Sequence, residues 1–257
     1  MHIDLDNWYK PDLDRKELRK LSKRKNLPGL IHFGIYFISL FASGYLAYIT
    51  WGTWLSFFFF FIYGTIYSFS VSNWHETVHK TAFKTRWINE IFYHICSFMA
   101  DFEGFRWRWS HTFHHSYTLQ TKDDYDHEIQ ISRPTDLIAF FLNFIPFSDL
   151  LFLHRLIKYE VIKHAFGYFS PVVKISAPAK QKKKILWNSR LYLFIWISII
   201  ILSVYFETFL LILYFILPTY YGKPLWFLVN VTQHLGAAID TKDHRESTYS
   251  IKINPIF

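Results

Sequence analysis

Six of the chain's 13 histidines fall into short clusters whose spacing suits metal binding. The first cluster, His75 to His79, reads HETVH, and the second, His111 to His115, reads HTFHH. Residues three and four positions apart share one face of an α-helix, so each cluster would present its imidazoles side by side. Neutral imidazole is a ligand for iron, copper or zinc. We therefore expect one metal centre, with these ligands: His75, His79, His111, His114, His115 and His234.

A centre built from imidazoles suggests oxidative chemistry. A pair of iron ions held by nitrogen could use O₂ to remove hydrogen from an unactivated C–H bond, which no amino-acid side chain can do. Carboxylates are dense around the clusters, and some are expected to accept N–H groups of the ligands and fix the ring orientations. These carboxylates are Glu76, Asp101, Glu103, Asp123, Asp124, Asp126, Glu128, Asp240 and Asp243.

The other seven histidines are scattered along the chain. A single histidine is more often a surface or structural residue than a ligand, and we expect that of each of them. They are His2, His32, His94, His127, His154, His164 and His244. His94 and His127 are the strongest candidates for an exception.

Two long apolar runs indicate how the clusters are positioned. The 49 residues from Asn26 to Trp74 contain no Asp, Glu, Lys or Arg, and the 32 residues from Leu191 to Gly222 contain only Glu207. A helix needs about 20 apolar residues to cross a bilayer. The first run predicts two crossings, near 30–50 and 53–72. The second run fits either one long tilted helix or a hairpin that turns near Glu207, with crossings near 190–206 and 208–225 and a kink at Pro218.

The distribution of positive charge favours the hairpin. Eight Lys and Arg residues lie in residues 1–25, fifteen between Lys80 and Lys184, and the last five from Arg190 onwards, which accounts for all 28. With two hairpins every one of them lies on the same side, as the positive-inside rule expects. A single crossing at 191–222 would instead place His234 across the bilayer from the other five histidines.

The predicted fold is therefore an all-α integral membrane protein, a single domain over residues 1–257. Four transmembrane helices form two hairpins, and a cytosolic helical cap at 73–189 carries the first and second histidine clusters. A cytosolic lead-in occupies residues 1–29, and both termini face the cytosol. In the cap, Trp87–Ala100 and Leu137–Leu153 are expected to be interfacial helices, and Ala177–Lys184 a basic linker.

Composition excludes several other classes. The single cysteine, Cys96, rules out an intrachain disulfide and a cysteine-built metal site. The net charge of +8 has a sufficient explanation in membrane topology, so we do not expect a nucleic-acid partner.

At the histidine clusters the sequence resembles the membrane fatty acid desaturases. The similarity lies in HETVHKTAF at 75–83, in RWRWSHTFHHSYT at 106–118, and in TQH at 232–234 with DHR at 243–245. The resemblance implies four transmembrane helices under a cytosolic cap, a di-iron centre, and O₂-dependent oxidation of a fatty acyl chain carried by a lipid, CoA or an acyl carrier. It also implies two electrons from a ferredoxin- or cytochrome-type donor, and the same six histidines as ligands.

One feature of that family is missing from the sequence. Its final His-x-x-His-His box would be expected soon after Asn254-Pro255, and the chain stops at Phe257. The resemblance implies about eight or nine ligand histidines, of which six are matched. We expect a chain that has been cut short, with weak or partial metal loading and little activity as it stands.

Three alternatives stay open. HETVH at 75–79 matches the H-E-x-x-H pattern of zinc proteases, with Glu76 as the base, although that function leaves the second cluster unexplained. A related di-iron hydroxylase of an alkane, sterol or carotenoid would use the same ligands. A membrane scaffold without activity is the third alternative.

Overall fold

A computed structural model describes residues 9–120, 137–155 and 157–249 of the chain. The described residues form thirteen α-helices and a 3₁₀ helix at Ser148–Arg155, and they contain no β-strand. The α-helices, α1 to α13, are Arg15–Leu21, Leu27–Ile49, Leu55–Ser68, Ser70–Val78, Arg86–Met99, Gly104–Ser116, Leu137–Leu142, Ile157–Ala165, Pro171–Ser176, Ala179–Tyr205, Leu210–Phe215, Pro218–Val231 and His244–Ser247.

Three helical segments are long and apolar enough to cross a bilayer: Leu27–Ile49, Leu55–Val78 and Ala179–Tyr205. The second segment comprises α3 and α4, which follow each other almost without interruption. The first two form a hairpin whose turn contains Gly52 at φ +84°, a left-handed conformation that glycine adopts without steric cost. This arrangement agrees with the prediction for residues 30–72 and carries the helix onward to the first histidine cluster.

The second apolar run also turns at the expected place, since α10 ends at Tyr205 and Glu207 has φ +50°. The stretch predicted as one crossing at 208–225 is divided into α11 and α12. Pro218 is the first residue of α12, where its missing N–H costs no helical hydrogen bond, so the second helix starts there. Within the part of the chain that the structure describes, this run supplies no fourth helix long enough to cross.

The prediction of a basic linker at Ala177–Lys184 is wrong. Helix α10 already begins at Ala179, so the lysines from Lys180 to Lys184 lie in its first turns. Pro178 precedes the helix with an extended backbone, and lysine and glutamine have high helix propensity, which explains the early start.

Helix α12 packs closely against α3 through two glycines. A Cβ atom added to Gly222 would lie 1.8 Å from the backbone carbon of Gly64, and one added to Gly64 would lie 2.1 Å from the ring of Tyr221. Small residues that let helix backbones approach are typical of packing in membranes. This contact brings the helix that leads to His234 alongside the helix that leads to His75.

Short helices joined by loops make up the described part of the segment between the hairpins. The interfacial helix expected at Trp87–Ala100 corresponds to α5, whereas Leu137–Leu153 forms α7 and most of the 3₁₀ helix. A buried cluster that includes Phe33, Trp74, Phe83, Tyr93 and Cys96 joins α5 to α2 and α4. The helices that carry the histidines therefore rest on a common apolar base.

Candidate metal centre

The first histidine cluster lies on α4, and local interactions fix where that helix ends. Lys80 has φ +58° and its N–H donates to the carbonyl of Thr77, so the helix ends at Val78 with His79 as its C-terminal cap. The side chain of Asn89 on α5 also donates to the Thr77 carbonyl at 2.7 Å. Because Thr77 is buried, His75 and His79 lie on the opposite face of the last turn, toward α6.

The second cluster lies on α6, whose start is fixed by Glu103. The Glu103 carboxylate accepts the backbone N–H groups of Phe105, at 3.2 Å, and Arg106, at 2.6 Å, and it also accepts the side-chain amide of Asn188 on α10. A carboxylate at this position caps the helix and interacts favourably with its dipole. Burial raises the pKa of Glu103 to about 7.

Two arginines hold α6 against its neighbours. Arg106 pairs with Glu160 on α8, with 3.2 Å between Nε and Oε2, and donates to Ser110 one turn further on. Arg108 donates to Glu90 on α5 at 2.8 Å. Salt bridges to two separate helices limit rotation of α6 about its axis, which keeps the histidine face directed toward α4.

Aromatic rings form a floor beneath the histidines. Phe102 and Trp107 stack with 3.9 Å between ring centroids, and Trp74 meets both of them edge-on. The Trp74 ring also contacts His111, with 5.1 Å between centroids. Close packing on rigid rings restricts the rotamers available to His111 and excludes water from that side of the site.

The Nε2 atoms of four histidines converge on one point. His79 Nε2 lies 3.3 Å from His75 Nε2 and 3.1 Å from His111 Nε2, which lies 3.1 Å from His115 Nε2. One ligand atom from each of these four residues lies within 4.8 Å of every other. A metal ion with metal–nitrogen bonds of about 2.0–2.1 Å would hold tetrahedral nitrogens roughly 3.3 Å apart, so the spacing fits a bound ion.

The remaining two predicted ligands form a neighbouring pair. The ring centroid of His114 lies 5.5 Å from that of His234 and 5.7 Å from that of His111. His234 Nδ1 lies 3.0 Å from the carbonyl oxygen of Ser247. Because a carbonyl only accepts hydrogen bonds, Nδ1 carries the proton, and the lone pair of the neutral ring is on Nε2.

Backbone contacts attach the segment after α12 to the end of α6. The N–H of Asp240 donates to the carbonyl of Leu119 at 3.1 Å, and the side chain of Gln120 donates to the carbonyl of Thr241 at 2.7 Å. These bonds keep His234 and Ser247 close to the second cluster. All six predicted ligands thus occupy one end of the helical bundle, four around one point and two beside it.

Three carboxylates that were expected to orient the ligands have other partners. Asp101 forms a buried ion pair with Lys158 and accepts from Thr219 at 3.2 Å. Glu103 caps α6, and Asp243 forms a salt bridge with Arg245 at 2.6 Å. Asp101 lies at a left-handed turn between α5 and α6, so its carboxylate faces α8 and α12 rather than the histidines. Asp123, Asp124, Asp126 and Glu128 lie outside the described residues.

The scattered histidines mostly have structural surroundings. His32 Nε2 lies 2.7 Å from Asn73 Oδ1, His164 is buried beside Ser170 and Glu160, and His244 is exposed on α13. His94 lines an apolar groove whose lining residues include none of the six ligands. His2 and His127 lie outside the described residues, as does the side chain of His154.

Sequence reasoning missed several groups that position the site. Gly64 and Gly222 could have been suspected, since each is a small residue within an apolar run. The role of the Ser247 carbonyl could not be predicted from the sequence, because every residue has a backbone carbonyl. The role of Asn188 could not be predicted either, because it depends on a contact with the distant residue Glu103.

Comparison with known proteins agrees with this geometry. The family model described as fatty acid desaturase matches residues 52–257, which includes all six histidines and the helices that carry them. No curated protein and no solved structure matches the chain. Since the matched region covers well over half of the sequence, the chain belongs to the fatty acid desaturase family.

Proposed function

We propose that this protein is an O₂-dependent di-iron desaturase that introduces a double bond into a fatty acyl chain. The observation that carries the proposal is the convergence of four Nε2 atoms at metal-ligand spacing, in a chain that belongs to the desaturase family. One iron would be held by His75, His79, His111 and His115. His114 and His234 would be ligands of the second.

Iron bound to these imidazoles supplies the oxidising power that removes hydrogen from an unactivated C–H bond. The residues that surround the iron have three tasks. The histidines donate neutral nitrogen ligands, and the Ser247 carbonyl fixes the tautomer of His234. The rings of Trp74 and Phe102 exclude water from beneath His111, which protects a reactive centre from side reactions.

A cavity of about 350 Å³ lies between the helices that lead to the histidines, and it could admit the acyl chain. Val71, one turn before His75, lines one side, and Asn230, four residues before His234, lines the other. Phe102 also contributes, so the aromatic floor of the metal site is shared with the cavity. A chain seated there would pass next to the histidine layer.

The membrane arrangement is part of the proposal. Three helices can cross a bilayer by length and composition. With α11 and α12 together as a fourth crossing, Lys223 lies within α12 and pairs with Asp149, and the other Lys and Arg residues fall on the histidine side, which we assign to the cytosol along with both termini. The net charge of +8 suits an acidic electron donor of the ferredoxin or cytochrome type.

The zinc-protease alternative fits the geometry poorly. A catalytic zinc keeps three protein ligands and an open position for water. Here the second cluster contributes two further nitrogens to the same point as His75 and His79, so four ligands already surround it. The histidines of the second cluster therefore have a role as metal ligands, whereas a protease site would leave them unused.

Product analysis separates desaturation from its alternatives. The chain is expressed in a host that lacks its own desaturase, and the total fatty acids are analysed by gas chromatography and mass spectrometry. Because only two histidines are available for the second iron, we expect a low yield of a new double bond, which is lost in His111→Ala and kept in His244→Ala. A hydroxylated product would identify a hydroxylase, and an iron-loaded chain without any product would favour a scaffold.

A further inference from the structure

A large apolar groove lies apart from the metal centre. Its volume is about 900 Å³, and it is lined by α2, α3, α5, α10, α11 and Phe105 of α6, with none of the six clustered histidines among its lining residues. Phe37, Phe41 and Tyr48 form the wall on α2, and Leu191 and Ile195 form the wall on α10. Its lining is far more apolar than that of the cavity beside the histidines, which contains Asp101 and Lys223.

The groove continues into a basic cavity at the start of α10. This second cavity, of about 540 Å³, shares Phe105, Asn188 and Leu191 with the groove. Its other lining residues are Lys180, Lys183, Lys184 and Trp187. Neither set of lining residues, as far as the structure describes the chain, includes an aspartate or a glutamate.

One stripe of α10 therefore changes from basic to apolar along its length. Lys180, Lys184, Asn188, Leu191 and Ile195 are spaced four, four, three and four residues apart, which places them on one helical face. From Lys184 to Ile195 the helix rises by about 16 Å, at about 1.5 Å per residue. That distance is close to the depth of one leaflet, whose hydrocarbon is about 15 Å deep, and along α2 the groove extends further, to Tyr48 near the end of the helix.

We propose that the groove and the basic cavity together bind one acidic phospholipid from the leaflet on the histidine side. The acyl chains would occupy the groove, and the phosphate would contact the lysines at 180, 183 and 184. Exposed Trp187 lies at the boundary, the position that aromatic residues favour at a membrane interface. A long apolar groove that ends at a basic rim, with no carboxylate among its described lining residues, selects a lipid over a soluble anion.

The site also contacts the metal-bearing helix. Asn188 lines both cavities, and its side-chain amide donates to Glu103, the cap of α6. A lipid seated against Asn188 would restrict that side chain and so stabilise the start of α6. We therefore expect lipid binding to raise the thermal stability of the protein, whether or not metal is bound.

The test compares lipids that differ only in the headgroup. The purified full chain in lipid-free detergent is mixed with phosphatidylglycerol, with phosphatidylcholine of the same acyl composition, or with inorganic phosphate. Bound lipid is counted by native mass spectrometry, and unfolding is followed through a thiol-reactive dye that reaches Cys96 only when the buried residue is exposed. We expect one tightly bound phosphatidylglycerol and a higher melting temperature with that lipid alone.

Two triple variants remove the same amount of charge. The variant Lys180→Gln, Lys183→Gln and Lys184→Gln should weaken phosphatidylglycerol binding roughly tenfold or more. The matched variant Lys163→Gln, Lys174→Gln and Lys182→Gln alters a separate cavity of about 340 Å³ and should leave phosphatidylglycerol binding unchanged.

A third variant, Leu191→Trp, fills the groove and should reduce binding while the lysines are intact. Equal stabilisation by phosphatidylcholine, equal weakening in the two triple variants, or stabilisation by phosphate alone would overturn the proposal. These outcomes do not depend on desaturase activity, so they leave the proposed function to its own test.

Discussion

Replacing Gly222 with alanine should force α12 away from α3. The new Cβ atom would lie 1.8 Å from the backbone carbon and 1.9 Å from the carbonyl oxygen of Gly64, where ordinary van der Waals contact begins at 3.4 Å. Both obstructing atoms belong to the backbone, so no side chain can rotate out of the way. The helices must separate locally by about 1.6 Å, the difference between 3.4 and 1.8 Å, since interiors are close-packed.

Two effects of opposite sign decide the change in stability. Alanine is favoured over glycine in a helix by about 1 kcal/mol, which would stabilise the variant. Overpacking costs about 1–3 kcal/mol, and here the clash is with backbone, which favours the upper part of that range. We expect a net loss of about 1–2 kcal/mol, and a melting temperature lower by about 2–4 °C for each kcal/mol.

The buried thiol of Cys96 provides the assay. It is the only cysteine, it is buried, and burial raises the pKa of its thiol to about 12, so a maleimide dye reacts with it only after unfolding. Gly34→Ala in α2 is the matched control, because its added Cβ meets no atom within 4 Å. It should leave the melting temperature unchanged or raise it. A Gly222→Ala chain as stable as Gly34→Ala would refute the close approach of α3 and α12.

Three further predictions concern the metal site and its supports. His79→Ala should lower the bound iron at least tenfold, measured by plasma mass spectrometry, because the His79 ring is one of the four that converge. His244→Ala should leave the bound iron unchanged, because His244 is not part of that group. Asp101→Asn should destabilise the protein by about 3–5 kcal/mol by stranding buried Lys158, and a double-mutant cycle with Lys158→Met should recover much of that loss. Burial raises the pKa of Glu103 to about 7 in the folded protein, against an ordinary value of 4.5. Its contribution to stability is therefore fully present below pH 4.5 and is lost as the pH rises to about 7. Glu103→Gln should make the melting temperature nearly independent of pH between these two values.

The arrangement of the ligands was largely predictable from the sequence. Four-residue spacing within 75–79 and 111–115 is enough to place each set on one helical face, and the long apolar runs indicate where those helices attach. The convergence of His79 and His111 across α4 and α6 follows once both clusters start at the same end of the bundle. Local periodicity carries this information, so the sequence reveals it directly.

What escaped prediction depends on contacts between distant residues. The sequence predicted that His114 and His234 share one centre with the other ligands, but not that they form a separate pair beside them. That pairing depends on the contact of α12 with α3 at Gly222 and Gly64. Asp101 looked like a partner for a ligand because it is close in sequence, yet its turn directs it to Lys158. The lysines in the first turns of α10 resembled a linker, because a run of charge does not by itself show whether the backbone is helical.

X-ray absorption at the iron edge of the purified chain tests the central claim most directly. We predict about one tightly bound iron ion per chain, held by the four converging nitrogens, because the second iron of the proposed pair has only His114 and His234 as ligands and binds weakly. The atoms bound to the iron should be imidazole nitrogens at about 2.0–2.2 Å. His111→Ala should abolish this nitrogen signal. A shell dominated by oxygen or sulfur, or a nitrogen shell that persists unchanged in His111→Ala, would contradict the four-histidine site.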